Sequence, residues 1–510
     1  MGMVFADDAS GAWNEMFESP GRPRAIYESL FAALDRFGPD ELSQRSEQLS
    51  RTFLDRGVTF AHSGEERPFP LDLMPRLIGA AEWDVLSRGV AQRVRALEAF
   101  LDDVYREGRI FAEGLIPKSV VTSSAHFVRA ARSIEPPNGV RIAVSGIDVV
   151  RDERGHFRVL EDNVRIPSGV SYVIENRRAM TQTFSALFSD HRVHPVDSYP
   201  ARLLAALRRA APSRVGEPTV VVLSPGVYNA AYFEHVLLAR MMGVELVEGR
   251  DLVARSNRVY MRMTNGERPV HVIYRRVDDE WLDPLQFRPE SVIGVAGLVN
   301  AARAGNVAIA NAIGNGVADD KLIYTYVPDF IRFYLGEEPV LDNVETYRLE
   351  APDVLAEVLG SLDSYVLKPV DGSGGKGIVI GPRADQASLE QVRSAIMASP
   401  RNWIAQRPVA LSTHPTLVDD HLSPRHIDLR PFAVNDGDEV WVLPGGLTRV
   451  ALGAGELVVN SSQGGGSKDT WVLNDQSVTV RSLTPPDHPA RHPDFVPRQN
   501  EEFLDQEAQQ

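Results

Sequence analysis

Two lysines bracket a run of glycines in the stretch Tyr365-Val-Leu-Lys368-Pro369-Val-Asp-Gly372-Ser373-Gly374-Gly375-Lys376-Gly377-Ile-Val-Ile-Gly381. The apolar residues on either side read as strand, loop, strand. Glycine lets backbone N–H groups approach a polyphosphate closely and take positive φ at little cost, and Lys368 and Lys376 bring positive charge to the same place. The chemistry this suits is binding of a nucleoside triphosphate. The spacing is not GxxxxGK[ST], and a strand rather than a helix follows, so neither a P-loop nor a dinucleotide fingerprint fits. A glycine loop alone is more often a tight turn; Lys368-Pro369 and the flanking strands favour phosphate.

A second set of candidates is acidic. Ile142 to Val150 reads as a strand carrying Asp148, a turn covers Arg151 to His156, and Phe157 to Leu160 is a second strand ending in Glu161-Asp162-Asn163. Side chains alternate along a strand, so Glu161 and Asn163 face one way and Asp162 the other. Asp148, Glu161 and Asn163 offer oxygen ligands without histidine or cysteine, a donor set suited to magnesium. On the pattern alone a solvated hairpin end reads equally well. The loop that follows, Arg165-Ile-Pro167-Ser168-Gly169, is rigid and sets a hydroxyl and a cation beside the acids, as an anionic group would require.

Further candidates are scattered. Ser224 and Tyr228 follow the apolar run Thr219 to Leu223, at the end of a strand where a parallel sheet binds ligands. Arg275-Arg276-Val-Asp278-Asp279 reads as a surface ion-pair cluster. Asp319-Asp320-Lys321 opens an expected helix to Tyr334; its acids suit the helix N-terminus, and Lys321 is a candidate for phosphate. Arg430 and Arg449, on expected strands 426–434 and 441–451, are candidates for stabilising a transferring phosphoryl group, or else for pairing with the site acids. Asn460-Ser-Ser-Gln-Gly-Gly-Gly-Ser-Lys468-Asp469 is a second glycine-rich loop. It reads as a linker or as a cover that brings Lys468 to phosphate or substrate.

The elements that must position these groups follow from periodicity. Arg24 to Phe37, Glu41 to Arg56 and Ala80 to Tyr105 have helical spacing, so the first 115 residues or so read as mainly helical. Strand 219–224, helix 230–242 and strand 244–247 form a parallel α/β unit, and 259–263 with 270–274 form a hairpin across Asn265-Gly266. The chain has 510 residues, 43% of them hydrophobic, which is enough for more than one core. Cysteine is absent, which removes disulfides and thiolate chemistry. A net charge of -15 argues against a general nucleic-acid binder. With no long apolar run and no basic-then-apolar leader, the expectation is a cytoplasmic protein outside the membrane.

The strings Leu160-Glu-Asp-Asn-Val-Arg-Ile-Pro-Ser-Gly-Val-Ser-Tyr172, Tyr232-Phe-Glu-His235, Arg275-Arg-Val-Asp-Asp279 and Ser462-Gln-Gly-Gly-Gly-Ser-Lys-Asp469 resemble the circularly permuted ATP-grasp type 2 family. Its Glu-x-Asn hairpin stands here some 200 residues before the lysine and its glycine loop, the reverse of the usual ATP-grasp order and similar to glutathionylspermidine synthetase. The resemblance implies an α/β, permuted ATP-grasp fold with a helical N-terminal region and a small parallel α/β domain. Its divisions are a flexible start (1–20), helical region (21–135), magnesium-binding part (136–215), α/β domain (216–310), nucleotide-binding region (311–480, clamp about 350–412) and flexible tail (481–510). It further implies ATP and Mg2+, with Lys368 on the α- and β-phosphates, residues 372 to 377 closing over the triphosphate, and Gln406 lining the adenine pocket. The implied reaction is an ATP-dependent carboxylate–amine ligation through an acyl phosphate, its peptide or small-molecule substrates open. Arg430, Arg449, Arg165 and Lys468 would act in catalysis, and Ser168, Arg275, Arg276 and Tyr228 on substrate. Two alternatives stand beside it: a kinase, and an ATP-binding partner protein without turnover. A homo-oligomer is left open.

Overall fold

A computed structural model describes residues 11–62, 65–372, 375, 377–418, 421–453, 455–457, 459 and 465–474. The roles expected for Ser373, Gly374 and Lys376, for most of the second glycine loop, for residues 1–10 and for the tail beyond 474 fall outside the described residues.

The centre is a mixed sheet in the order Leu71–Ile78, Gly466–Val472, Val440–Val450, His421–Asn435, Val144–Arg151, Phe157–Asn163, with Thr413–Val418 also paired to His421–Asn435. Its alternating side chains enter two cores. Ile147, Val149, Leu429 and Val472 pack with the long helix Ala80–Tyr105, while Val144, Phe432, Leu443 and Trp471 pack with helix Val170–Thr183. The hairpin expected at 142–163 is present, with Asp148 directly opposite Glu161 and Gly146 opposite Asn163.

A second, parallel sheet runs Ala308–Ala310, Val272–Arg275, Val220–Leu223, Glu245–Val247. Its valine-rich strands are buried on both faces, as parallel strands under helices must be: Val221 and Ile273 join one core, Val222 and Val272 the other. The third unit is the antiparallel sheet Thr346–Arg348, Trp403–Gln406, Val366–Pro369, Val379–Ile380. One face carries its own small core, including Leu367, Val392, Ile396 and Ala405, beneath helices Pro352–Gly360 and Gln386–Ala398. The other face carries Lys368 and Gln406. The mixed α/β class and the small parallel unit are as the sequence leads one to expect.

Three elements differ from that reading. Leu71–Ile78 is a buried strand inside a region read as mainly helical. Pro75 interrupts its apolar pattern, and its partner is the distant Gly466–Val472. The helix expected from Lys321 to Tyr334 is three short segments, Lys321–Tyr324, Val327–Phe330 and Ile331–Leu335, because Pro328 supplies no N–H to a continuous ladder. The hairpin after Asn265 closes with Gly266–Val270, while Val272–Arg275 crosses to the parallel sheet. Among the described residues no helix is long and apolar enough to cross a membrane.

Candidate active site

The clamp sheet faces the acidic hairpin across a cleft. Asp148, Glu161, Lys368, Gly375, Gln406, Asp428 and Arg449 all line it, and Val150, Leu160, Val344, Val366, Ile380 and Leu411 give it an apolar floor. Register explains the clamp side: Val366 lies opposite both Gln406 and Ile380, so Val366, Lys368 and Gln406 share one face. Gln406 donates to Thr346 Oγ1 at 3.0 Å. Gly377 takes φ +76, and a Cβ there would stand 3.2 Å from Pro369 Cγ, so the loop turns back over Lys368-Pro369 only with glycine at that position. The cleft encloses about 150 Å³.

On the hairpin side Asp148 is buried and shared. Arg430 Nη2 donates to Oδ2 at 2.7 Å with Nε on the other oxygen, and Arg449 Nη2 reaches Oδ2 at 2.8 Å. Arg449 also donates to Asp428 Oδ1 at 2.9 Å. Burial alone would raise the Asp148 carboxyl; Arg430 and Arg449 outweigh it and hold the group well below the ordinary carboxylate range. Burial raises Asp428, and Arg449 opposes the shift. Glu161, its cross-strand neighbour, has Lys321 Nζ at 3.5 Å, and the same Nζ donates to the Gly372 carbonyl, tying the hairpin to the glycine loop. Asp162, on the opposite face, forms a buried pair with Arg93 at 2.8 Å.

For a magnesium ion the donor chemistry fits. Glu161 and Asn163 offer side-chain oxygens on one face of their strand, beside Asp148 on the paired strand. The arginines on both Asp148 oxygens make Glu161 and Asn163 the readier ligands. Among the described residues no group of three or more His, Asp or Glu is assembled for a metal.

Burial pushes the Lys368 ammonium down to about 8, with Lys321 adding to the shift and Glu161 and Asp148 opposing it. The folded protein therefore loses this charge as pH rises through about 8, whereas the unfolded chain keeps it to about 10.5. Two results are expected. Stability gains from this residue as pH rises between those values, and triphosphate affinity falls roughly tenfold from pH 7 to 9. Equilibrium binding across that range, with Lys368→Met as the flat control, checks the second.

Other candidates stand elsewhere. Lys468 is fully buried, paired with Asp72 and donating to the Pro415 carbonyl at 2.9 Å; it does not line the cleft. Arg275 is buried and donates to the carbonyls of Asn311 at 2.8 Å, Val277 at 3.0 Å and Ala312 at 3.1 Å. Arg276 holds the Pro167 carbonyl at 2.8 Å and Glu234 at 3.2 Å. Arg165 turns away from the cleft toward Asp278 at 3.2 Å and Asp319 at 3.7 Å. Ser168 offers its carbonyl to Arg430 Nη1 at 3.2 Å. Tyr228 is wholly exposed.

Sequence reasoning missed Glu234. It is buried, accepts from Gly169 N at 2.7 Å and Ser171 N at 3.1 Å, and so caps helix Val170–Thr183 while Arg276 braces the loop before it. Glu234→Gln keeps the size and loses the charge; a cost of about 1–3 kcal/mol is expected, read from the urea midpoint. The motif Tyr232-Phe-Glu-His235 marked the segment but not the buried carboxylate's task.

The family model for circularly permuted ATP-grasp type 2 matches residues 75–451. An uncharacterised protein of Mycobacterium tuberculosis is 61% identical over 92% of this chain and 86% of its own length, and one of Synechocystis is 48% identical over 91% and 98%. A Frankia casuarinae protein with the provisional name glutamate–cysteine ligase 2-2 is 46% identical over 90% of this chain and 53% of its own length. Among solved structures, a glutathione synthetase-like effector of Globodera pallida aligns with TM-score 0.54 at 12% identity, over 86% of this chain and 98% of that one, a likeness of fold alone. With the order of hairpin and clamp seen in the structure, the match places this chain in the circularly permuted ATP-grasp type 2 family.

Proposed function

We propose that the protein is an ATP-dependent carboxylate–amine ligase that activates a carboxylate as its acyl phosphate. The observation that carries this reading is the single cleft that brings Asp148 and Glu161, from the hairpin, against Lys368 and Gln406, from the clamp. Lys368 and Lys321 neutralise phosphate charge, Gln406 and the apolar floor hold the base, and Arg449, fixed by Asp148 and Asp428, lines the cleft where the phosphoryl group moves, while Arg430 holds Asp148 in place. Phosphoryl transfer needs positioning and charge neutralisation more than a protein nucleophile, and this chain offers no cysteine. Glu161 and Asn163 would hold magnesium, which when bound supplies further positive charge to the phosphate oxygens. A cleft of about 150 Å³ is smaller than the roughly 300–1,000 Å³ of ligand pockets, so the clamp sheet swings outward to admit nucleotide. Its separate core lets it move as a unit.

The Frankia relative's name supports an amide-forming reaction and makes glutamate and cysteine the first substrates to try. The test is incubation with ATP, magnesium, amino acids as carboxylates, and hydroxylamine, with ADP and hydroxamate both followed. Hydroxamate formation together with ADP is expected. ADP release with a stable phosphorylated product and no hydroxamate would replace the ligase with a kinase.

A further inference from the structure

Gln406 reaches the cleft from a strand whose two neighbours treat its amide differently. On one side Thr346 lies directly opposite, and Gln406 Nε2 donates to Thr346 Oγ1 at 3.0 Å. On the other side the opposite residue is Val366, whose side chain has no polar atom to offer. Both Gln406 and Val366 line the cleft, and the Nε2 bond is the one side-chain hydrogen bond that Gln406 makes among the described residues.

The hydroxyl of Thr346 decides which way round that amide stands. A threonine hydroxyl has one proton to give, and Thr346 gives it to the Val344 carbonyl at 2.7 Å. Tyr324 Oη is 3.4 Å from the same carbonyl, but its own proton goes to the nearer Val159 carbonyl at 2.6 Å, so Thr346 remains the donor to Val344. With its proton committed, Thr346 Oγ1 only accepts, and the Gln406 group that faces it is the donating NH2. Turning the amide over would set two acceptors against each other. Gln406 Oε1 is therefore held on the side away from Thr346, as a buried acceptor in the wall of the cleft.

We propose that Thr346 is a positioning residue that sets the base preference of the cleft: by locking Gln406 with its oxygen presented, it selects a purine with a donor at position 6. Adenine carries an amino group there, whereas guanine carries an oxygen, as does hypoxanthine, and either oxygen would meet a second acceptor that cannot turn away. The inference rests on reading the cleft as a nucleotide site and adds the group that enforces the choice of base.

The test is equilibrium binding of the β,γ-imido analogues of adenosine, inosine and guanosine triphosphate, with magnesium, to the full chain and to its Thr346→Val and Thr346→Ser variants. The wild type is expected to bind the adenosine analogue about ten- to a hundredfold more tightly than either of the others, as a buried acceptor left facing an acceptor requires. The inosine analogue lacks the 2-amino group of guanosine, so its rejection isolates position 6. Thr346→Val frees the amide to turn over and should cut the preference by about tenfold, whereas Thr346→Ser restores the hydroxyl and keeps it. A ratio between bases is not moved by a general loss of stability, valine suits a half-buried strand position, and the wild-type comparison stands without the variants. Equal wild-type binding of the inosine and adenosine analogues, a preference unchanged in Thr346→Val, or one lost in Thr346→Ser would each overturn the assignment and leave the nucleotide reading in place. No binding of any analogue would overturn both.

Discussion

Replacing Asp148 by alanine is expected to destabilise the protein by about 3–5 kcal/mol, the range for breaking a buried ion pair from one side. Asp148 is 1% exposed and is shared by Arg430 and Arg449. Without it Arg449 keeps Asp428, but among the described residues Arg430 keeps only its hydrogen bond to the Ser168 carbonyl, and a guanidinium drawn out of water loses its direct ion-pair partner. The carboxylate is ionised throughout the neutral range, so the loss should be constant from pH 5 to 8. It should shrink only in strong acid, where the group protonates and the wild-type advantage fades. Urea unfolding at pH 5 and pH 8 measures it; a change under about 1 kcal/mol would mean the three side chains do not form one unit.

Lys368→Met should leave the fold intact and remove ATP turnover by roughly 10²–10³-fold, as loss of one preorganised charge-stabilising group does. Methionine fills the same buried stem, and the lysine it replaces already has its charged form disfavoured by burial, so the melting temperature should hold or rise. Glu161→Gln is the companion on the opposite wall. Its side chain is 29% exposed, with a single cation at 3.5 Å, a pairing worth at most about 1 kcal/mol, yet turnover should fall comparably. Normal turnover in either variant would remove the cleft from the mechanism.

How much of this was legible follows from the range of each interaction. Strand alternation put Glu161 and Asp162 on opposite faces, and the structure sets Glu161 toward the cleft and Asp162 against Arg93. The glycines and Lys368-Pro369 marked a loop between strands because turn chemistry is local. Arg275, Arg276 and Lys468 show the limit. Their charge is visible in sequence, but their partners Asn311, Pro167 and Asp72 come from other elements, and only those partners decide whether a cation serves the fold or a ligand. Arg165 differs from Arg430 for the same reason: one leaves the hairpin end toward Asp278, the other crosses a strand pair to Asp148.

The placement of Gly466–Val472 inside the central sheet, between Leu71–Ile78 and Val440–Val450, has a consequence for biosynthesis. Ser467 Oγ donates to the Pro70 carbonyl across 397 residues of chain. On the ribosome, Leu71–Ile78 therefore emerges long before the strand it pairs with in that sheet and waits as an open, apolar edge, the kind of surface that invites chaperones or self-association.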